Sequence, residues 1–165
     1  MCGIAGIIPF RGDVSLSKME GMVESISHRG PDQKNIFKSK NSVFGFVRLK
    51  IIDLSDNANQ PFVSEDKKIK IIYNGEIYNF IDLKRTYLRQ VKFKSSGDGE
   101  VILHLYKKFG IDFVNKINGM FSIVIIDENL SKTFLIRDRF GIKPLYYYID
   151  KNKIIFCSEI KGIKK

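Results

Sequence analysis

The chain begins MCGIAGII, so a cysteine directly follows Met1 and stands at the head of an apolar run. Residues 3–8 are typical of a buried β-strand. A strand that starts this close to the terminus fixes Cys2 at the end of a sheet. Methionine before a residue as small as Cys2 is normally trimmed, which would leave Cys2 with the free α-amino group. That amine titrates near ~8 and can therefore act as a base for the thiol.

Short apolar runs separated by turn residues fill the rest of the sequence. We predict strands at 42–49, 68–73, 120–127, 132–137, 145–149 and 153–157, and helices at about 17–27, 79–90 and 99–109. Ser17 with Glu20 has the pattern of a capping box, Asn79 is a candidate helix cap, and Gly110 stands where a C′ glycine belongs. Consecutive strands joined by short turns pair antiparallel. The sequence therefore predicts one α+β domain over residues 1–165, with helices packed on antiparallel sheets.

Cysteine use and hydropathy limit the possible location of the protein. No apolar run approaches the ~20 residues of a membrane span, and no signal-peptide pattern is present. The two cysteines, Cys2 and Cys157, are far apart, and neither belongs to a CxxC or His/Cys cluster. We expect a cytoplasmic protein with no disulfide, no metal site and no membrane contact.

The formal net charge of +10 raises the question of nucleic-acid binding. The lysines are scattered, and no long basic run is interleaved with aromatic residues. No RNP or zinc-finger pattern occurs. A solvated, lysine-rich surface is therefore favoured. A nucleic-acid-binding module ranks a distant third among the functional hypotheses, and it would show steeply salt-dependent binding.

Six polar segments punctuated by glycine interrupt the strands. They are CGIAG at 2–6, HRGPD at 28–32, RLKIIDLS at 48–55, YNGEIYN at 73–79, SSGDGE at 95–100 and RDRFGIKPLYY at 137–147. Cys2 can provide a thiol nucleophile and an amine base in one residue. The Asn74 amide and the backbone N–H of Gly75 can stabilise an oxyanion. Arg48 can clamp a carboxylate in bidentate fashion, and Glu76 or Asp98 can hold an ammonium.

Each of these residues also has an ordinary structural interpretation. Asn-Gly is a common turn dipeptide, and Arg48 and Asp98 could form surface ion pairs or a helix cap. His28 is more typical of a structural role, and Cys157 of strand packing. The spacing within RDRFGIKPLYY leaves ligand binding and sheet support equally favoured.

Taken together and in this order, the segments resemble the N-terminal glutaminase domain of glutamine-dependent asparagine synthetases. That domain is a class II glutamine amidotransferase of the N-terminal-nucleophile (Ntn) hydrolase fold. The resemblance runs from MCGIAG to FCSEIKGI at 156–163. It implies an α+β fold, a four-layer αββα sandwich of two antiparallel sheets between helices. It also implies removal of Met1.

The resemblance also implies roles for individual residues. Cys2 attacks the side-chain amide of glutamine and passes through a γ-glutamyl thioester, and its terminal amine shuttles the protons. The implied partners of the substrate are Asn74 and Gly75 for the oxyanion, Arg48 for the α-carboxylate, Glu76 and Asp98 for the α-ammonium, and backbone groups around Ile51 and Ile52 for the pocket frame. No cofactor is needed for this half reaction, and ATP and Mg²⁺ belong only to the synthetase domain.

The sequence departs from the family pattern in three respects. In FCSEIKGI, Cys157 and Gly162 stand where the family usually has small or apolar residues. SSGDGE replaces the usual SSDTE, and the added glycines favour a looser loop. The sequence ends at Lys165, where the ATP-pyrophosphatase synthetase domain of the family begins, and it has no SGGxDS loop. We therefore expect a glutaminase domain that supplies ammonia to a synthetase partner in cis or in trans.

Two alternatives and the oligomeric state stay open. The chain could be a degenerate domain that binds glutamine or a partner without turnover. It could instead serve an asparagine-synthetase-like enzyme that amidates another carboxylate, as in surface-polysaccharide or antibiotic pathways. A homodimer is left open.

Overall fold

A computed structural model describes residues 1–165, which form nine strands and four helices. The strands β1–β9 are, in order, Gly3–Pro9, Gln33–Ser39, Ser42–Arg48, Phe62–Val63, Ile69–Ile77, Gly119–Asp127, Lys132–Arg137, Tyr146–Ile149 and Lys153–Cys157. The helices α1–α4 are Leu16–Ser25, Phe80–Tyr87, Gly99–Phe109 and Ile160–Ile163. The chain divides into two compact units, Met1–Leu49 with Lys143–Lys165, and Lys50–Ile142.

The first unit is built on a five-stranded antiparallel sheet in the order β2-β3-β1-β9-β8. Strand β1 lies at its centre, with Gly3 opposite Val47 of β3 and Ala5 opposite Cys157 of β9. Helix α1 packs its apolar side chains, including Met19, on this sheet to form the core of the unit. Cys2, the residue before β1, is therefore placed at the end of a strand that is held on both sides.

The second unit is built on a four-stranded antiparallel sheet in the order β4-β5-β6-β7. Its core joins β5 and β6 to helix α3 and to the 3₁₀ helix Gly110–Asn115. Phe113 is fully buried there, and its ring meets Tyr106 edge-on at 6.3 Å between centroids. The Tyr106 hydroxyl donates a hydrogen bond of 2.7 Å to Asp127, so this buried polar group has a partner.

The α+β class and the antiparallel sheets agree with the prediction, and the predicted strands recur within a few residues. Strands β2 and β4 were not predicted. Strand β2 reads QKNIFKS, whose polar side chains conceal its two apolar residues, and β4 has only two residues. None of the helices is long and apolar enough to cross a membrane.

The helix caps differ from the sequence patterns. The capping box at Ser17 is wrong, because α1 begins at Leu16 and its N-cap is Ser15, which makes no side-chain cap hydrogen bond. Asn79 does precede α2, but its side chain bonds the backbone of Lys116 and Asn118 instead of capping the helix. Gly110 ends α3 as predicted, with φ of 59°.

We expect Phe113→Ala to lower the free energy of unfolding by about 3–5 kcal/mol, because it leaves a cavity in the core of the second unit. Urea denaturation monitored by circular dichroism measures this change. Phe140→Ala is the matched control, since the Phe140 side chain is 89% exposed. Its effect should stay within about 0.5 kcal/mol. Equal losses in the two variants would contradict this description of the core.

Candidate active site

Cys2 is held against the end of β3. Its thiol lies 3.4 Å from the backbone nitrogen of Leu49, which donates to it, and 3.7 Å from the Leu49 carbonyl oxygen. Burial raises the pKa of the Cys2 thiol, although the Leu49 hydrogen bond and the positive charges of the terminal amine, Arg48 and Lys143 oppose this. The thiol is therefore protonated at neutral pH, so attack on a substrate requires a base.

Arg48, the last residue of β3, is 5% exposed and so holds its guanidinium charge in a largely dry position. Its carbonyl accepts a 3.0 Å hydrogen bond from the backbone of Asp32 in the HRGPD segment. That segment therefore supports the strand end where Arg48 adjoins Cys2.

Lys143, one of the charged residues of the RDRFGIKPLYY segment, lies near Cys2. It is 7% exposed, and its Nζ lies 3.5 Å from the sulfur of Met1. Its charge favours the thiolate form of Cys2. The spacing of the segment 137–147 left ligand binding and sheet support equally favoured for Lys143 and did not indicate its proximity to Cys2.

The other half of this segment supports the second sheet. The Asp138 carboxylate accepts hydrogen bonds from the backbone nitrogens of Phe121, Phe140 and Ile142, at 3.2, 3.1 and 3.0 Å. A carboxylate that satisfies three backbone donors fixes the loop after β7 against β6. For Asp138, the structural interpretation therefore applies.

Strand β5 carries Asn74, Gly75 and Glu76 in succession. Asn74 is 2% exposed, and its side-chain nitrogen is buried without any hydrogen-bond partner. A buried amide donor left unpaired costs about 1–3 kcal/mol, so the Asn74 nitrogen is available to an acceptor on a ligand. The Glu76 side chain is half-buried and makes no hydrogen bond or ion pair.

Gly75 lies where β5 comes closest to β6. A Cβ atom there would stand 2.2 Å from the carbonyl oxygen of Met120 and 2.7 Å from the Cα of Phe121. No side chain fits this space without separating the strands.

Asp98 is bound to the same strand. Its Oδ2 accepts hydrogen bonds from the Tyr73 hydroxyl at 2.6 Å and from the Ile77 backbone at 2.8 Å. Both bonds fall on one oxygen, so Oδ1 is left to accept a hydrogen bond from a ligand. The second unit thus brings Asp98 together with the β5 residues that the sequence singled out.

The SSGDGE loop is closely tied, in contrast to the looser loop expected from its glycines. Glu100 accepts hydrogen bonds from the backbone of Lys94 and from the backbone and hydroxyl of Ser95. Burial alone would raise the pKa of Glu100, but these hydrogen bonds lower it overall. Lys84 adds a 3.2 Å bond to the Gly97 carbonyl, and its ammonium lies 4.3 Å from the centre of the Phe93 ring.

Ile51 and Ile52 are exposed, at 59% and 48%, so their side chains do not pack within the second unit. The next residue, Asp53, is buried and was missed by the sequence reasoning. It accepts hydrogen bonds from both the backbone and hydroxyl of Ser55, which lower its pKa, and from the backbone of Ser96 at 2.7 Å. Asp53 therefore ties the loop of Ile51 and Ile52 to the loop of Asp98. The Asp-x-Ser spacing, typical of an Asx turn, was the available signal.

No cluster of three or more His, Cys, Asp or Glu side chains suits a metal ion. The first unit thus holds a thiol and a strand-end arginine, and the second unit holds an unpaired amide donor and two carboxylates. A thiol nucleophile and a buried amide donor are groups that acyl-transfer chemistry uses.

Sequence comparison agrees with this inventory. The family model described as "Glutamine amidotransferase domain" matches residues 1–165. The chain belongs to this glutamine amidotransferase family. The domain is 48% identical to asparagine synthetase [glutamine-hydrolyzing] 2 of Bacillus subtilis, covering 99% of this chain and 22% of that protein. It is 44% identical to a putative asparagine synthetase of Methanocaldococcus jannaschii, covering 99% and 35%.

Among solved structures, the amidotransferase domain resembles glutamine phosphoribosylpyrophosphate amidotransferase of B. subtilis. The TM-score is 0.80 at 18% identity, covering 99% of this chain and 43% of the other. At that identity the likeness shows the shared fold, which is the Ntn type. The domain spans about a fifth to a third of the length of the two asparagine synthetase relatives.

Gly75→Ala should lower the free energy of unfolding by about 1–3 kcal/mol, because the added methyl group forces β5 away from β6. The control is Gly21→Ala on α1, where a Cβ meets nothing within 4 Å. That change should stabilise the protein by up to about 1 kcal/mol, since alanine favours helix. Urea denaturation of both variants measures the contrast. Equal stability of Gly75→Ala and the wild type would show that the two strands are not in such close contact.

Proposed function

We propose that this domain hydrolyses glutamine to glutamate and ammonia. The observation that carries the proposal is the buried side-chain nitrogen of Asn74, a donor that no protein acceptor satisfies. An oxyanion that develops on a substrate carbonyl would supply the missing acceptor. Donors already in place for such an oxyanion are among the largest contributions to acyl-transfer catalysis. The adjoining N–H of Gly75 would be the second donor.

In the proposed reaction, Cys2 is the nucleophile. After removal of Met1, its α-amine takes the thiol proton, and the sulfur attacks the side-chain carbonyl carbon of glutamine. The tetrahedral intermediate expels ammonia, which leaves with that proton, and a γ-glutamyl thioester remains. Water then attacks the thioester, glutamate leaves, and the thiol is restored. The raised pKa of the thiol supports the need for a base so close to it.

The two ends of glutamine require opposite charges. We assign the α-carboxylate to Arg48, whose guanidinium can bind it in bidentate geometry. The α-ammonium is assigned to Asp98, through its remaining oxygen, and to Glu76. Backbone groups around Ile51 and Ile52 are assigned to the rim of the pocket. Asp53 holds that rim segment to the loop of Asp98.

Ammonia is assigned to an asparagine-synthetase-type ligase domain, in cis or in trans. This assignment is supported by two relatives, from B. subtilis and M. jannaschii, which are named as asparagine synthetases and are longer than this chain. ATP and Mg²⁺ would serve that ligase domain, and the glutaminase reaction itself uses no cofactor. We place the reaction in the cytoplasm, where the two unpaired cysteines would stay reduced.

A second class of ammonia acceptor is a carboxylate other than aspartate, and it can be tested separately. The domain is also 37% identical to a Gibberella zeae protein named "Amidase chry2", covering 98% of this chain. The name of this relative is not that of an asparagine synthetase, so we keep as a second proposal a ligase domain that acts on a carboxylate other than aspartate. Assaying the domain with a ligase domain and either aspartate or alternative carboxylates separates the two acceptor classes.

Cys2→Ala should abolish glutamate release from glutamine, because the nucleophile is lost. Cys157→Ala is the matched control, because the Cys157 side chain is fully buried in the strand core. This variant should keep most of the glutaminase activity. Glutamate is measured enzymatically, and intact mass shows whether Met1 has been removed. Glutamate release by Cys2→Ala would exclude the thiol mechanism. A folded wild type that lacks Met1 and stays inactive with a ligase domain would support the degenerate-domain alternative.

Asp98→Asn should raise KM for glutamine by about 10–100-fold, since a hydrogen bond to a charged group contributes about 1.5–3 kcal/mol. The asparagine oxygen can still accept the bonds from Tyr73 and Ile77, so the fold should persist. Asp127→Asn is the control, because Asp127 likewise accepts a tyrosine hydroxyl, that of Tyr106. Steady-state kinetics of glutamine hydrolysis measure KM for both variants. An unchanged KM in Asp98→Asn would remove Asp98 from the ammonium site.

A further inference from the structure

The segment that follows β9 lies beside the N-terminus. The pairing of β1 with β9 extends past Cys157, because the Ser158 backbone donates to the Ile4 carbonyl at 2.8 Å. The Ile4 backbone in turn donates to the Ser158 hydroxyl at 2.9 Å. Ser158 is fully buried. The pairing of β1 with β9 therefore places the next residue, Glu159, in the region of Cys2.

Arg29 connects Glu159 to Cys2. Its Nε donates to the Cys2 carbonyl oxygen at 2.9 Å, and its Nη1 donates to the Glu159 carboxylate at 3.0 Å. The Arg29 side chain is only 9% exposed, and its Nη2 is buried without a partner. Glu159 is the only carboxylate within ion-pair distance of this buried cation.

The Glu159 carboxylate is itself held from three sides. His28 lies 2.9 Å from Oε1, the oxygen that Arg29 also contacts, and Lys161 lies 3.0 Å from Oε2. Burial alone would raise the pKa of Glu159, but the hydrogen bonds from Arg29, Lys161 and His28 lower it to about 2. The carboxylate is therefore ionised throughout the neutral range.

We infer that Glu159 is a positioning residue for the Cys2 nucleophile and acts through Arg29. This inference rests on the glutaminase function proposed above. Cys2 lies just outside β1, whose pairing with β3 starts at Gly3, so the Cys2 backbone carbonyl needs another anchor. Rotation of that carbonyl would move both the thiol and the α-amine. Removing one member of a buried ion pair leaves an uncompensated charge that reorients toward water, and Arg29 would then release the carbonyl.

Glu159→Ala should lower kcat for glutamine hydrolysis by about 10–100-fold, since a displacement of about 1 Å in a reacting group can cost 10²-fold. KM should change by less than about threefold, because Glu159 contacts none of the proposed substrate-binding residues. Glu159→Gln keeps an oxygen that can accept from Arg29, so its loss of kcat should be smaller. It also guards against a failure of the alanine variant to fold.

Arg29→Met and the double variant Arg29→Met/Glu159→Ala test whether Glu159 acts through Arg29. If it does, the double variant should lose no more kcat than Arg29→Met alone. Glu24→Ala is the control carboxylate of the same unit, because its ion pair with Lys34 is exposed. Its kcat should equal that of the wild type.

Hydrogen exchange of the peptide covering residues 1–10 gives a readout that does not depend on turnover. It should accelerate at least tenfold in Glu159→Ala and not in Glu24→Ala. An active wild type with unchanged kcat and exchange in Glu159→Ala overturns the inference. If kcat of the double variant is well below kcat of Arg29→Met, Glu159 does not act through Arg29. An inactive wild type with faster exchange in Glu159→Ala refutes the proposed function alone and supports the anchoring.

Discussion

The pairing of β1 with β3 on one side and β9 on the other is the interaction on which the Cys2 environment depends. A chain terminus normally frays, because few contacts hold it. Here the first strand is the central strand of its sheet, so its ends are fixed by two neighbours. This arrangement gives the second residue of the chain a defined place beside Leu49 and Arg48. A residue with both a thiol and a prospective terminal amine then becomes useful for chemistry.

The loops of the second unit obtain their order from carboxylates and backbone amides. Asp53, Asp98, Glu100 and Asp138 each accept at least one backbone N–H. Short polar loops rich in glycine have little apolar surface to bury, so packing cannot hold them. Ionised acceptors that satisfy several backbone donors at once replace that packing. The same acidic residues thereby serve structure, and one oxygen of Asp98 remains for a ligand.

Most of the strands and most of the candidate site residues could be predicted from the sequence, and the exceptions have physical reasons. Strands β1 and β6 could be predicted because their residues are mostly apolar, whereas β2 could not because most of its residues are polar. The candidate residues Cys2, Asn74 and Asp98 were found by their motifs, and their catalytic and binding roles stay predictions. The contact of Arg29 with Glu159 joins positions 130 residues apart. No local pattern reveals such a contact, nor does it reveal that the amide of Asn74 lacks a partner.

The close contact at Gly75 has a consequence for how this domain can diversify. The space beside Met120 admits only hydrogen, so position 75 offers no small steps toward another residue. The exposed side chains of Ile51 and Ile52 face no such restriction within their unit. Variation among related domains should therefore accumulate in the rim loop, while the strand that carries the amide donor stays constant. An engineer who wants a different amide substrate would begin at the rim.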